Sequence, residues 1–132
     1  MPAPHPDPAA VVRSFIEAWN ANDLERILAH LSEEVTYHNM PVAPIHGRAA
    51  VRDYLGGKGG FDWVDWKLLS LAVDGNKVLT ERIDDFGWQG RRISLPIMGI
   101  FEIEDGLIRA WRDYFDMAGY RTQLSAPPAT GD

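Results

Sequence analysis

Three glycine-bearing turn signals recur at regular intervals in the second half of this chain: Asp74-Gly75-Asn76, Gln89-Gly90-Arg91-Arg92 and Glu104-Asp105-Gly106. Residues 63–73, 77–88, 93–103 and 107–115, the runs around them, are rich in Val, Ile, Leu, Phe and Trp. Such runs joined by such turns fold as an antiparallel meander. The first half has another period. Pro8 suits the first turn of a helix, and Val12, Phe15, Ile16 and Trp19 then recur at helical spacing. Asp23 can cap a second, short helix carrying Leu24, Ile27, Leu28 and Leu31. Residues 35–39 alternate as a short strand before Pro41, and residues 47–55 read as a helix ending at Gly56-Gly57. Helices first and a meander afterwards predict an α+β fold, a curved antiparallel or mixed β-sheet wrapped by N-terminal helices.

At 132 residues the chain is one domain. Prolines at 2, 4, 6 and 8 and at 127 and 128 mark the ends. Residues 1–8 and 125–132 therefore read as flexible tails, and residues 9–124 as the domain. No cysteine is present, which excludes a thiol nucleophile and thiolate metal sites. His5, His30, His38 and His46 lack metal-ligand spacing, so no metal and no cofactor is expected. A net charge of −6 argues against a nucleic-acid partner. No apolar run approaches the roughly 20 residues of a membrane span, and the N-terminus lacks the regions of a signal peptide. The expectation is an acidic, cytoplasmic domain with no membrane partner. The loop Gly56-Gly57-Lys58-Gly59-Gly60 follows a helix and lacks the phosphate-loop pattern, so it reads as a flexible connection.

Strand parity carries the functional signal. Neighbouring residues on a strand face opposite ways, so alternate positions share a face. Val78, Thr80, Arg82, Asp84, Phe86 and Trp88 share one face of the second long strand, with two charges amid core-like residues. Leu107, Arg109, Trp111, Asp113 and Phe115 share a face of the fourth. The odd positions of the third, from Ile93 to Ile103, carry no charge. A three-residue loop at 104–106 sets Ile103 opposite Leu107 and Asp113 opposite Ile97. A four-residue turn at 89–92 sets Trp88 opposite Ile93 and Asp84 opposite Ile97. Arg82, Asp84 and Asp113 then converge on one apolar wall. A two-residue turn at Asp105-Gly106 would flip that parity.

Two readings of this cluster stand side by side. Buried charge is costly unless it pairs, so the three residues can be a structural ion-pair network. Alternatively, a pocket has been equipped with an acid and a base. Tyr37 and Asn39 share a face of the short strand, where a phenol and an amide can hold a water between them.

Tyr37-x-Asn39-Met40-Pro41, then Glu81-Arg82-x-Asp84, then Gly99-x-Phe101 leading into Trp111-Arg112-Asp113-Tyr114-Phe115-Asp116, resembles the limonene-1,2-epoxide hydrolase family. The likeness runs from about residue 33 to 117. It implies the nuclear-transport-factor-two-like cone fold. It also implies that Asp84, Arg82, Asp113, Tyr37 and Asn39 are catalytic. Asp113 would take a proton from a water held by Tyr37 and Asn39, Asp84 would protonate the epoxide oxygen, and Arg82 would sit between the carboxylates. The substrate so implied is a small, mostly apolar, cyclic epoxide, opened to a diol without a covalent intermediate. Phe86, Leu95, Ile97, Trp111 and Phe115, on the shared wall, are the expected substrate contacts. The family also implies a homodimer, for which Leu79, Ile83 and Ile100 on the reverse face are candidates. Residues 61–66 and Trp88 add aromatic bulk near the pocket rim. An isomerase or cyclase using one Asp as base, and a non-catalytic binding module, are the alternatives.

Overall fold

In the computed structural model, which describes residues 6–57 and 59–128, ten elements follow in order. They are α1 (Pro8–Asn20), α2 (Leu24–Ala29), β1 (Leu31–Asn39), β2 (Ile45–His46), α3 (Arg48–Gly56), β3 (Trp63–Asp74), β4 (Lys77–Trp88), β5 (Arg91–Glu104), β6 (Leu107–Tyr114) and α4 (Met117–Ser125). The helices start where side chains satisfy free backbone donors. Asp7 accepts from Ala10 N to cap α1, and Asp23 accepts from Arg26 N to cap α2. Most of the tails expected at 1–8 and 125–132 lies at residues 1–5 and 129–132, outside the described residues. Within them, α1 takes in Pro8 and α4 takes in Ser125, so each helix passes the expected domain edge by one residue.

The six strands form one mixed sheet in the order β2-β1-β6-β5-β4-β3. Only β1 and β6 run parallel, and every other neighbouring pair is antiparallel. α1 crosses the inner face chiefly over β3. Val12, Phe15, Ile16 and Trp19, at helical spacing, are all buried against the sheet. The core centres on Trp111, which is fully buried. Phe15 meets it edge-on at 5.0 Å, while Tyr37 and Phe101 stack on it at 4.0 and 5.7 Å.

Several expectations need correction. Leu31 opens β1 instead of ending α2, and β1 is nine residues long rather than five. The turns after β4 and after β5 are both tight. Trp88 pairs with Arg91 across Gln89-Gly90, and Glu104 pairs with Leu107 across Asp105-Gly106. All four turn residues have positive φ, the conformation that matches a two-residue hairpin to strand twist. The face assignment survives because of a bulge. Ile103 pairs with Ile108 but Glu102 pairs with Ala110, so Arg109 is an extra residue on β6. The tight turn flips the parity and the bulge restores it, turning Arg109 outward to donate to Glu34 O at 2.6 Å.

α4 has no counterpart among the expected elements. It has no buried residue, and Tyr120 and Leu124 are its only large apolar contacts with the core. Gln123 fixes it in place. β5 runs past its last β6 partner at Met98, leaving Ser94 at a free edge. There Ser94 N donates to Gln123 Oε1 at 2.6 Å, and Gln123 Nε2 donates to Ser94 O at 2.9 Å. The side-chain amide thus replaces a missing strand. Among the described residues, no helix is long and apolar enough to cross a membrane.

Candidate active site

The inner face of β4 delivers Thr80, Arg82 and Asp84 in a row, all buried. Arg82 has no exposed surface, and its guanidinium is satisfied by fixed partners. Nε and Nη2 donate to Asp84 Oδ1 and Oδ2 at 3.0 and 2.9 Å, a two-bond fork. Nη2 also donates to Asp113 Oδ2 at 3.1 Å, and Nη1 to Thr80 Oγ1 at 3.0 Å. Thr80 Oγ1 in turn donates to Gly99 O at 3.2 Å. The cation lies over the rings of Trp66 at 4.8 Å and Phe101 at 5.7 Å.

Register places the second carboxylate. Asp84 is opposite Leu95, Arg82 opposite Ile97, and Asp113 opposite Gly99. The expected pairing of both aspartates with Ile97 is therefore wrong by one inward step on each side. The convergence is nonetheless real, because Arg82 reaches across β5 to both. Gly99 leaves the gap that this needs: a Cβ there would collide with Arg82 Nη1 and Asp113 Oδ1. Asp113 Oδ1 is buried and accepts from no group among the described residues.

The parallel β1–β6 pairing brings in Tyr37 and Asn39, opposite Trp111 and Asp113 respectively. Met40 N donates to Asp113 O at 2.9 Å and locks this register. The phenol and amide bond directly to one another, with Asn39 Nδ2 donating to Tyr37 Oη at 2.9 Å. His38, between them, points the other way and bonds to Val42 O at 2.8 Å.

Burial and charge set the protonation states. Burial raises Asp84 to about 6, even though Arg82 acts in the opposite direction and Asp113 adds to the rise. Burial by itself would lower Arg82, but the flanking Asp113 and Asp84 outweigh it and hold the guanidinium charged. Burial, with the charge of Asp113, also pushes Tyr37 well above its usual value, so it is a neutral donor. Asp85, one residue along, faces the opposite side of the sheet and bonds to Lys67 at 2.6 Å.

Tyr37, Asn39, Asp84 and Asp113 open onto a hollow, with Arg82 behind its wall. Of the expected substrate contacts, Phe86, Leu95, Ile97 and Phe115 line it. Trp111 does not: it is fully buried behind Tyr37, so it supports the wall and presents no surface to a ligand. Phe61, Val64 and Trp66 do line the hollow, as the aromatic segment suggested, whereas Trp88 is not among its lining residues. Sequence reasoning missed Thr80 and Gly99 as supports of Arg82, and Tyr54 and Tyr120 as half-buried lining residues. Thr80 gave a signal by sharing the face of Arg82 and Asp84, and Gly99 by standing in the Gly99-x-Phe101 motif.

Comparison with known proteins identifies the family. The family model for the limonene-1,2-epoxide hydrolase catalytic domain matches residues 6–125. Epoxide hydrolase EphG of Mycobacterium tuberculosis is 33% identical over 109 residues, covering 80% of this chain and 71% of EphG. The solved structure of an M. tuberculosis LEH-like epoxide hydrolase superposes with a TM-score of 0.77 at 30% identity, over 89% of this chain and 91% of that one. A Catenulispora acidiphila protein with a ketosteroid isomerase-like fold, solved with trimethylamine, shares the fold at a TM-score of 0.76. Its identity is 16%, over 89% of this chain and 93% of that one. With Arg82 forked to Asp84 and reaching Asp113, and with the family matched over nearly the whole length, the chain belongs to the limonene-1,2-epoxide hydrolase family and is an epoxide hydrolase.

Proposed function

We propose that the enzyme opens a small, mostly apolar, cyclic epoxide to a vicinal diol in one step. The observation that carries this is two buried carboxylates joined through Arg82 and facing one hollow together with Tyr37 and Asn39. Burial raises Asp84 to about 6 against the pull of its two bonds from Arg82, so it can hold the proton that an acid needs. Each carboxyl oxygen has two lone pairs, so Asp84 can carry a proton beside its bond from Arg82.

In the reaction, water donates to the Asp113 carboxylate and is oriented by Tyr37 and Asn39. Its oxygen bonds to one epoxide carbon as that carbon's bond to the ring oxygen breaks. Asp113 takes the water proton and Asp84 gives its own to the departing oxygen. The net charge of the trio is unchanged, and one proton returns from Asp113 to Asp84 before the next cycle. Phe86, Leu95, Ile97 and Phe115 hold the hydrocarbon part and exclude bulk water.

Cyclohexene oxide or limonene oxide incubated in ¹⁸O-labelled water tests this. Single-turnover diol should carry one labelled oxygen from solvent. Label entering an aspartate of the protein would instead reveal a covalent intermediate. We further propose a homodimer through the outer sheet face, where Leu79 is exposed and Ile83 and Ile100 are half-buried, and a cytoplasmic location.

A further inference from the structure

A second hollow lies beside the first. Its walls are Trp19, Asn22, Leu24, Ile27, Leu55 and Phe61, closed by Gly56 and Gly60. Trp19, Leu55 and Phe61 also line the hollow that holds Asp84 and Asp113, so three side chains form a common partition.

Two of the three are fixed. Trp19 is 4% exposed and stacks on Trp66 at 4.5 Å. The next residue staples that stack: Asn20 Oδ1 accepts from Trp66 N at 2.7 Å, and Asn20 Nδ2 donates to Trp66 O at 3.1 Å. Leu55 is buried within α3. Phe61 differs. Its backbone is tied down by Asn22 Nδ2, which donates to Phe61 O at 2.7 Å, but its side chain is half-buried. The ring touches Trp19 on one side and Phe86 on the other, at 5.8 and 5.2 Å between centroids. That ring is the least enclosed part of the partition.

We infer that the hollow beyond Phe61 is a substrate subsite for an unbranched alkyl substituent of the epoxide. Its far wall is Leu24 and Ile27, and the Asn22 amide beside them donates to the Phe61 carbonyl. Among the described residues its lining is mostly apolar and carries no charged side chain, which suits a hydrocarbon chain. The reacting end stays beside Asp84 and Asp113, while the chain displaces the Phe61 ring and lies against α2. This rests on the hydrolase reading of the first hollow.

The test uses binding as well as turnover, so that the two readings fail separately. Cyclohexane-1,2-diols carrying an unbranched 1-alkyl chain from methyl to hexyl, the products of the matching cyclic epoxides, are titrated calorimetrically into the full chain. Affinity should rise roughly fourfold per added methylene, the value of burying one CH₂. Leu24→Trp, which fills the second hollow, should flatten that rise for the longer diols. Phe61→Ala should increase the preference for long over short diols by about tenfold, and the matching epoxides should show the same order in kcat/KM. A folded Leu24→Trp protein with an undiminished chain-length slope, or a Phe61→Ala protein with no change in preference, would overturn the subsite. Tight, length-dependent diol binding with no epoxide opened would overturn the hydrolase reading and uphold the subsite.

Discussion

Gly99 lies directly across the β5–β6 ladder from Asp113, and the missing side chain is what lets Asp113 and Arg82 meet. A methyl group there collides with Asp113 Oδ1 and Arg82 Nη1, both buried. Gly99→Ala should therefore push the guanidinium off Asp113. We expect a stability loss of about 1–3 kcal/mol, typical of overpacking, and a fall in kcat of two orders of magnitude or more. Thermal melting and initial diol formation measure the two. A variant with wild-type kcat would show that the Arg82–Asp113 bond is dispensable.

Asp84 predicts a pH signature of unusual sign. Its carboxyl titrates at about 6 in the fold, against about 3.9 in an unfolded chain. Between those values the native state keeps a proton that the unfolded state has lost, so this group's contribution to stability falls as pH rises from about 4 to about 6. Asp84→Asn does not titrate. The melting temperature of the variant minus that of wild type should thus increase across this window and level off above about pH 7. Wild-type kcat should fall above about pH 6 as the acid is lost. A melting difference that stays flat from pH 4 to 7 would place the acid elsewhere.

The convergence of Arg82, Asp84 and Asp113 was legible because parity is a property of every strand residue, so one strong face outweighs several uncertain turns. The details were not. Gln89 adopts positive φ with no turn preference of its own, whereas Asp105-Gly106 is a favoured two-residue hairpin pair that the apolar face of β5 outweighed. The flip introduced by the tight turn at Asp105-Gly106 is cancelled at Arg109, a bulge set by how β6 fits β5 and β1, not by local composition. α4 escaped notice because a short helix held by Tyr120, Leu124 and one glutamine amide has no buried stripe to betray it. Tyr120, which α4 carries, is hidden from the sequence with it. The depth of Trp111 is hidden for a simpler reason: parity gives the face of a side chain but not its depth, and Tyr37 lies over it.

Tyr37 and Asn39 should act on turnover more than on binding. Tyr37→Phe and Asn39→Ala each remove one hydrogen bond to the attacking water without changing a charge. A loss of about 1–3 kcal/mol from the barrier follows, in the range for net to charge-assisted bonds. Affinity for the diol product, measured by titration, should change little. Weakened affinity with kcat preserved would make both residues substrate contacts.

Thr80 should behave as a positioning residue. It accepts from Arg82 Nη1 and donates to Gly99 O, but it is not among the residues lining the hollow. Thr80→Val leaves Nη1 short of an acceptor and should lower kcat about tenfold with little change in KM. Thr80→Ser restores the hydroxyl and should restore kcat. If valine and serine have equal kcat, the hydroxyl does not orient the guanidinium.

The last prediction separates a working trio from an ion-pair network. Arg82→Ala alone strands two buried carboxylates, which costs about 3–5 kcal/mol when one partner of a buried pair is removed. That cost arises on either reading, so the single variant is uninformative. Replacing all three removes it. Arg82→Met with Asp84→Val keeps most of the volume, and Asp113→Ala respects the crowding at Gly99. Apolar replacements of buried pairs are often neutral or stabilising. Trp66 and Phe101, which now face the guanidinium, would pack on the introduced thioether instead. The triple variant should melt at or above the wild-type temperature and form no diol. A stable triple variant that still opens epoxides would mean that the three charges are architecture and that the chemistry resides elsewhere in the hollow.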